Sequence, residues 1–240
     1  MRAILKSMFD DAREVGILKD NPCASIRRFC SAQPQMRVFT KREQSAIERY
    51  CVSDGGSECL GILIALYTGV RIGELLALRW SDVDLRARIM RIKRTKYYAK
   101  DTSGQWCEMY DTPKSKSSER EIPIAALLCQ ILSRHKRKST CDNVIADENG
   151  KSPNIRKYQY FFAKMQTNIV KNPLNFHALR HTFATRAMEA GVDIKTLSEL
   201  MGYKDATLTL NRYSPAFLIP RRKPLILLQA IWALNRCDSY

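Results

Sequence analysis

The sequence contains no apolar run long enough to cross a membrane. The longest runs, Gly61–Tyr67 and Leu225–Leu234, fall well short of the roughly 20 residues that a membrane-spanning helix needs. The segment that follows Met1 is amphipathic and dotted with charges, whereas a secretory signal peptide has an apolar centre. We therefore expect no membrane segment and a cytoplasmic protein.

The cysteines lack the spacing of a disulfide or zinc framework. None of the eight stands in a C-x-x-C pair, and several fall in apolar helical stretches, where a free thiol behaves as a small hydrophobic side chain. We expect all of them to be reduced, as in a cytosolic protein.

Acidic residues are too few to balance the basic ones. The chain has 40 Lys and Arg against 24 Asp and Glu, a net charge of +16, while its 45% of apolar residues is typical of a folded globular protein. Such a charge attracts polyanions, of which DNA, RNA and anionic membrane are the candidates. A basic protein without a polyanionic partner is the alternative.

The chain is predicted to contain one large domain and a short N-terminal piece. Residues 1–30 begin with a helix at 2–15 that ends at Gly16, and residues 31–38, which include Pro34, form a predicted linker. The domain at 39–240 is expected to start with a capping box formed by Thr40 and Glu43.

The large domain is predicted to be mostly helical. Helices are expected at about 41–52, 57–67, 71–78, 125–138, 154–170, 177–190, 193–201 and 205–213, with a last one after Pro224. Three β-prone segments, Ile89–Ile92, Trp106–Tyr110 and Glu119–Ile124, are separated by polar turns. The predicted fold class is α+β, with one small three-stranded antiparallel sheet.

A glycine turn that opens a helix is the first segment with chemical potential. In Thr68–Glu74, the turn would place backbone N–H groups and Arg71 at the positive end of the helix, where phosphate binds well. Glu74, three residues later, would orient the Arg71 guanidinium. Alone, the pattern is more typical of a surface Arg–Glu pair.

The second segment, Asn175–Thr185, places His177 and Arg180 along one edge of a helix. A guanidinium beside an imidazole suits a phosphate that gains charge during a reaction. His177 and His181 also have a metal-ligand spacing, but Ala178 stands where the metalloprotease motif needs glutamate, so no zinc is expected. The buried stripe of this helix is predicted to consist of Phe176, Leu179, Phe183 and Ala187.

The third segment is Leu200–Tyr203, followed after ten residues by Tyr213. The three segments, in their order and separation, resemble the motifs of the tyrosine recombinase (phage integrase) family. They read T-G-x-R-x-x-E, H-x-L-R-H-T-x-A-T, and L-x-G-x before R-Y-S. The resemblance extends from Thr40 to the C-terminus and is closest to integrases of conjugative transposons and related mobile elements. It implies a site-specific recombinase that cuts and rejoins DNA through a 3′-phosphotyrosine, without metal or nucleotide cofactor.

The resemblance also implies roles for matching residues. Arg71, Arg180 and His177 would hold the scissile phosphate, and Tyr213 would attack the phosphorus. A lysine on a β-hairpin, predicted at residues 111–123, would protonate the departing 5′ oxygen. We favour Lys114 for this role, with Lys116 as the alternative. The residues predicted to contact DNA phosphates are Lys116, Arg94 and Lys96.

Tyr203 departs from the family pattern, which has histidine or sometimes tryptophan after the glycine. A tyrosine hydroxyl can donate to a phosphate oxygen and its ring can pack against the nucleophile's helix, but it cannot carry positive charge. A slower enzyme is therefore expected. The alternative function is a catalytically weakened, truncated integrase that retains DNA binding.

The two ends of the chain bear on assembly. Residues 1–30 resemble only the last part of a helical core-binding domain, so we expect a fragment or a truncated protein. Leu225–Leu234, after Pro224, is predicted to dock on a neighbouring protomer in a homotetramer on two DNA sites, or else to pack on its own domain. Docking argues against a monomeric topoisomerase of type IB. We also expect accessory DNA-bending or excision proteins as partners, and a location at the bacterial nucleoid.

Overall fold

The chain divides into two units, residues 1–36 and 37–240. The computed structural model describes residues 2–25, 37–111 and 119–203. Several predictions therefore lie outside the described residues: the helices expected at 205–213 and after Pro224, and the positions of Lys114, Lys116 and Tyr213.

In the described part of the first unit, residues 2–25, the helix α1 spans Arg2–Glu14, and Gly16 follows it with φ +77°. The Asn21 side-chain amide donates to the Lys6 carbonyl at 3.0 Å and to the Asp10 carboxylate at 2.7 Å. These bonds hold the segment after the helix back against it.

The second unit starts with the predicted capping box. Thr40 Oγ1 accepts from Glu43 N at 3.2 Å, and Glu43 Oε2 accepts from Thr40 N at 2.8 Å, so that α2 (Lys41–Asp54) begins as expected. The next helix, α3 (Ser57–Thr68), is buried on nearly every side and forms the centre of the unit.

The remaining helices are α4 (Ile72–Leu76), a short 3-10 helix (Trp80–Asp82), α5 (Ala126–Lys138), α6 (Ile155–Gln166), α7 (His177–Glu189) and α8 (Ile194–Met201). Of these, the helices numbered α4 to α7 contact α3. Each α-helix lies near a predicted helix, although α6 is shorter and α4 has only five residues, and the 3-10 helix was not predicted. The mostly helical α+β class is confirmed.

Within the described residues the strands form two sheets. The predicted three-stranded antiparallel sheet is present, but Trp106–Tyr110 belongs to a second, two-stranded sheet that was not expected. In the first sheet β1 (Val83–Asp84), β2 (Ile89–Ile92) and β5 (Arg120–Pro123) are antiparallel in the order β1-β2-β5. In the second, β3 (Thr95–Lys100) pairs with β4 (Trp106–Asp111). The described flanks of residues 111–123 therefore belong to different sheets, whereas the sequence predicted one hairpin there.

Aromatic side chains join α6 and α7 to the start of the unit. Phe162 packs edge-on against Phe39 and Phe176, with ring centroids 6.3 and 5.3 Å apart. The Tyr158 hydroxyl donates to the Glu58 carbonyl of α3 at 2.6 Å. The stripe predicted for α7 is buried as expected.

A second, smaller cluster lies between α7 and α8 and fixes the end of α8, where Gly202 and Tyr203 follow. Its members are Phe183, Ala184, Ala187, Met188, Leu197 and Met201.

The cysteines within the described residues are free thiols. In the same part of the chain, no helix combines the length and the apolar character that crossing a membrane requires.

Candidate active site

Arg71 lies at the N-cap of α4, directly after the turn that ends α3. Gly69 makes that turn with φ +66°, a conformation that residues other than glycine rarely adopt. A Cβ atom at Gly69 would also lie 2.5 Å from the Phe183 ring. Glycine is therefore required here on two grounds, and the turn brings Arg71 close to α7 and α8.

The side chain of Arg71 is held by Glu74 and by the end of α8. Its Nη1 lies 2.7 Å from Glu74 Oε1, as expected for an orienting carboxylate, and its backbone N donates to Glu74 Oε2 at 2.9 Å. Its Nη2 donates to the Gly202 carbonyl at 3.1 Å. The side chain is 38% exposed, so an anion can reach the guanidinium.

Arg180 lies beneath Arg71 and is almost completely buried, with 1% of its surface exposed. Its guanidinium donates to the Gly69 carbonyl at 2.5 Å and to the Met201 carbonyl. Burial, and then the charge of Arg71, lower the pKa of Arg180. This arginine joins the ends of α3 and α8 and adds positive charge below the surface.

Tyr203 lies against both guanidinium groups. The Cζ atom of Arg180 is 4.8 Å from the centre of the Tyr203 ring, and that of Arg71 is 5.7 Å from it. These distances allow cation–π attraction, and the Tyr203 hydroxyl oxygen is buried. The position that departs from the family pattern thus lies at the centre of the site.

Arg120 is a site residue that the sequence analysis missed. From the start of β5 it donates Nη2 to Glu74 Oε2 at 2.7 Å, Nη1 to Glu74 Oε1 at 3.1 Å and Nε to the Leu200 carbonyl at 2.7 Å. Burial alone would raise the pKa of Glu74, but hydrogen bonds and charges from Arg120 and Arg71 outweigh it and lower the pKa to about 2. The only available signal was an arginine within an otherwise β-prone segment.

His177 is the first residue of α7, one helical turn before Arg180. It is exposed, whereas Arg180 and His181 are buried. The rings of His177 and His181 meet edge to face with centroids 4.4 Å apart. The described residues contain no group of three or more metal-ligating side chains that could hold an ion.

Lys96 does not lie where a DNA contact requires it. Its side chain is fully buried, and its ammonium group donates to the carbonyls of Ser152 and Pro153 at 3.0 and 2.9 Å and pairs with Glu108 at 2.8 Å. A buried ammonium with these partners supports the fold and is not available to a phosphate. Arg94 is partly exposed and paired with Asp82.

The structure thus brings together Arg71, Glu74, Arg180 and Tyr203, which the sequence predicted from three distant segments. Together with Arg120, the site has three arginines and one carboxylate and therefore a net charge of about +2. This is a suitable environment for an anionic group whose charge increases during a reaction.

One protein and two solved structures that resemble this chain are named as recombinases or integrases. The chain is 29% identical to the "Tyrosine recombinase XerC-like" of Caldanaerobacter subterraneus subsp. tengcongensis over 243 residues, which cover 91% of this chain and 61% of that protein. The chain thus spans about three fifths of the length of this relative.

Two solved structures have a similar fold. One is the Tn1549 transposon integrase in complex with a circular intermediate DNA, with a TM-score of 0.74, 24% identity and coverage of 88% of this chain and 72% of that one. The other is a lambda integrase tetramer bound to a Holliday junction, with a TM-score of 0.60, 20% identity and coverage of 86% and 58%. At these identities they show the fold alone. The model of the phage integrase family matches residues 35–217, and the chain therefore belongs to that family.

Proposed function

We propose that this protein is a site-specific DNA recombinase that cuts and rejoins DNA through a 3′-phosphotyrosine intermediate. The observation that carries the proposal is the meeting of Arg71 and Arg180 around Tyr203, ten residues before Tyr213. Two guanidinium groups from distant parts of the chain converge beside the segment that leads to a tyrosine, in a member of the phage integrase family.

In the proposed cleavage step, the oxygen of Tyr213 bonds to the scissile phosphorus and gives up its proton to water. The bond from phosphorus to the 5′ oxygen breaks, and that oxygen takes a proton from Lys114. A phenol with a pKa of about 10 is a weak nucleophile at neutral pH until nearby cations stabilise its anion. Arg71 and Arg180 supply such charge and stabilise the five-coordinate phosphorus, a type of contact often worth roughly 3–4 kcal/mol.

Rejoining reverses these steps with a different 5′-hydroxyl as the attacking group. Because the phosphotyrosine keeps the energy of the broken bond, the reaction needs no nucleotide. Here His177, exposed at the start of α7, is assigned to a phosphate oxygen, and Glu74 to the orientation of Arg71.

The proposed partner is double-stranded DNA, and the proposed assembly is a homotetramer on two DNA sites. The net charge of +16 supports the first, and the likeness to a transposon integrase in complex with DNA and to a tetramer on a Holliday junction is consistent with both. In this proposal residues 225–234 dock on a neighbouring protomer, and residues 1–30 are the end of a core-binding domain. Accessory DNA-bending or excision proteins and a location at the bacterial nucleoid are also part of the proposal.

A nicked DNA substrate tests the proposal. After cleavage the short fragment that carries the 5′-hydroxyl dissociates, so that rejoining cannot occur and the covalent complex is trapped. The parent protein is expected to form an adduct that survives denaturation, and Tyr213→Phe is expected to bind the DNA equally well and form none. A parent that binds DNA tightly yet forms no adduct on any nicked site would favour the weakened, DNA-binding alternative.

The choice between Lys114 and Lys116 has its own test. Replacing the 5′ bridging oxygen by sulfur removes the need for a proton donor, because a thiolate leaves readily. Lys114→Ala is expected to cleave ordinary DNA poorly and the sulfur substrate well, with Lys116→Ala as the matched control. Rescue of Lys116→Ala alone would assign the role to Lys116.

A further inference from the structure

Arg120 connects three parts of the candidate site. It follows residues 112–118, which contain both candidate lysines, and its guanidinium meets both carboxylate oxygens of Glu74. Its Nε donates to the carbonyl of Leu200 near the end of α8. One side chain thus contacts the helix of Arg71 and the helix that precedes Tyr203.

The contact between Arg120 and the end of α8 is close. A Cβ atom at Gly202, which has φ +63°, would lie 2.9 Å from Nη1 of Arg120. The same Gly202 offers its carbonyl to Arg71. The backbone at Gly202 therefore lies between two arginines that share Glu74.

Charge is the second consequence of this arrangement. Glu74 is buried and serves both Arg71 and Arg120, whose side chain is only 6% exposed. With Arg120 present, one arginine neutralises the carboxylate and the charge of Arg71 stays available to an anion. Without Arg120, the negative charge of Glu74 would be balanced by Arg71 alone. The net charge of the group formed by Glu74, Arg71, Arg120 and Arg180 would fall from about +2 to about +1.

We propose that Arg120 is a positioning residue for the scissile phosphate. It neutralises Glu74, so that Arg71 retains its charge for DNA. This inference rests on the proposed function. It assigns to Arg120 an effect that passes through Glu74 and Arg71, without a contact to the reacting atoms.

The test compares Arg120→Met, Glu74→Gln and the double variant, with Arg91→Met as the matched control. Arg91 of β2 pairs at 2.9 Å with Glu121, the neighbour of Arg120 in β5, but both side chains are exposed. Two quantities are measured: the rate of adduct formation on nicked DNA, and the salt dependence of DNA affinity in a Tyr213→Phe background, where cleavage is absent.

Arg120→Met is expected to slow adduct formation by about 10²-fold or more, because Glu74 then neutralises Arg71, and losing one such donor at the reacting group usually has an effect of this size. It should also reduce the slope of log affinity against log salt by about 0.9, the contribution of one phosphate contact. Adding Glu74→Gln restores the charge of about +2, and is expected to return the slope to its parental value and the rate to within about tenfold. Arg91→Met should leave the adduct rate unchanged.

A purely structural role for Arg120 predicts the opposite, because removing Glu74 as well would disrupt the site further. A double variant that remains as slow as Arg120→Met, or a single variant with the parental rate, overturns the proposal. If Arg120→Met alone fails to fold by circular dichroism, the double variant decides: a rate within tenfold of the parent supports the inference and a slower one refutes it. If the parent forms no adduct, the proposed function fails, and the salt slopes still decide the role of Arg120.

Discussion

Tyr203 illustrates, at the scale of single residues, how a neutral side chain occupies a site built from charges. Its ring lies 4.8 and 5.7 Å from the guanidinium carbons of Arg180 and Arg71. Each such contact is worth roughly 0.5–2 kcal/mol. The contact of the ring with these cations thus accounts for a tyrosine at this position without a direct bond to the phosphate.

Tyr203→Phe keeps both ring contacts, whereas Tyr203→Ala removes them. We expect the phenylalanine variant to form adduct at a rate within about tenfold of the parent, and the alanine variant to be slower by at least a further tenfold. Single-turnover cleavage of nicked DNA measures both. Equal losses in the two variants would instead mean that the hydroxyl donates a hydrogen bond to the phosphate, an interaction worth about 1.5–3 kcal/mol.

The ionisation of Glu74 makes the free energy of unfolding depend on pH. Its pKa falls from the usual 4.5 to about 2 because the contacts of Arg120 and Arg71 outweigh the opposing effect of burial. A lowered pKa in the folded state contributes stability that is present above about pH 4.5 and is lost as the pH falls through about 2. The full contribution is roughly 3 kcal/mol.

Urea unfolding of the parent and of Glu74→Gln between pH 6 and pH 3 measures this contribution. The parent is expected to lose roughly 2 kcal/mol more than the variant over that range, because most of the titration window lies within it. Glu121→Gln, which removes an exposed carboxylate paired with Arg91, should show little difference from the parent. Parallel pH curves for parent and Glu74→Gln would contradict the assigned pKa.

At the scale of elements, the turn between α3 and α4 determines where Arg71 lies. Gly69 and Gly55 both end helices with nearly the same φ, +66° and +65°. A Cβ atom at Gly69 would meet the Phe183 ring at 2.5 Å and the Met201 sulfur at 3.1 Å, whereas nothing lies within 4 Å of one at Gly55. The pair therefore separates backbone strain from steric overlap.

Gly55→Ala is expected to lower the free energy of unfolding by about 1–2 kcal/mol, which is the cost of the left-handed conformation alone. Gly69→Ala should lose a further 1–3 kcal/mol through overlap with the core, and it should also slow adduct formation because Arg71 shifts. Urea titrations of the two variants test the difference. Equal losses would show that α7 and α8 adapt freely around the turn.

Helix periodicity and capping were readable from the sequence, but strand pairing was not. The capping box at Thr40 and the buried stripe of α7 depend on residues within a few positions of each other. The segment Thr95–Lys100 is polar and aromatic, and its role as a strand depends on its partner, Trp106–Asp111. Missing β3 led to the prediction of one sheet in place of two.

The same distinction holds for the site. Two motifs predicted Arg71, Glu74 and Arg180 as site residues, because a helix start or a helix edge places their side chains locally. Lys96 was predicted to contact DNA phosphates, but its ammonium group is buried against the carbonyls of residues 152 and 153 and against Glu108. Arg120 was missed because its partners come from α4 and α8, distant in the chain.

At the scale of the whole molecule, the proposed function assigns the attraction to DNA to the net charge of +16 and the chemistry to the convergence of three segments. The two differ in kind. Attraction to phosphates requires only positive charge on the surface and weakens steeply with salt. Cleavage requires that one tyrosine reach the phosphorus beside Arg71 and Arg180, which makes the identity of that tyrosine the central claim.

The position of the covalent bond tests this claim most directly. The trapped complex on nicked DNA is digested with nuclease and protease, and the peptide that carries the remaining nucleotide is sequenced by mass spectrometry. We predict a single modified residue, Tyr213, joined through its oxygen to a 3′-phosphate. Attachment at Tyr203 or any other residue, or a 5′-phosphate linkage, would contradict the proposed mechanism.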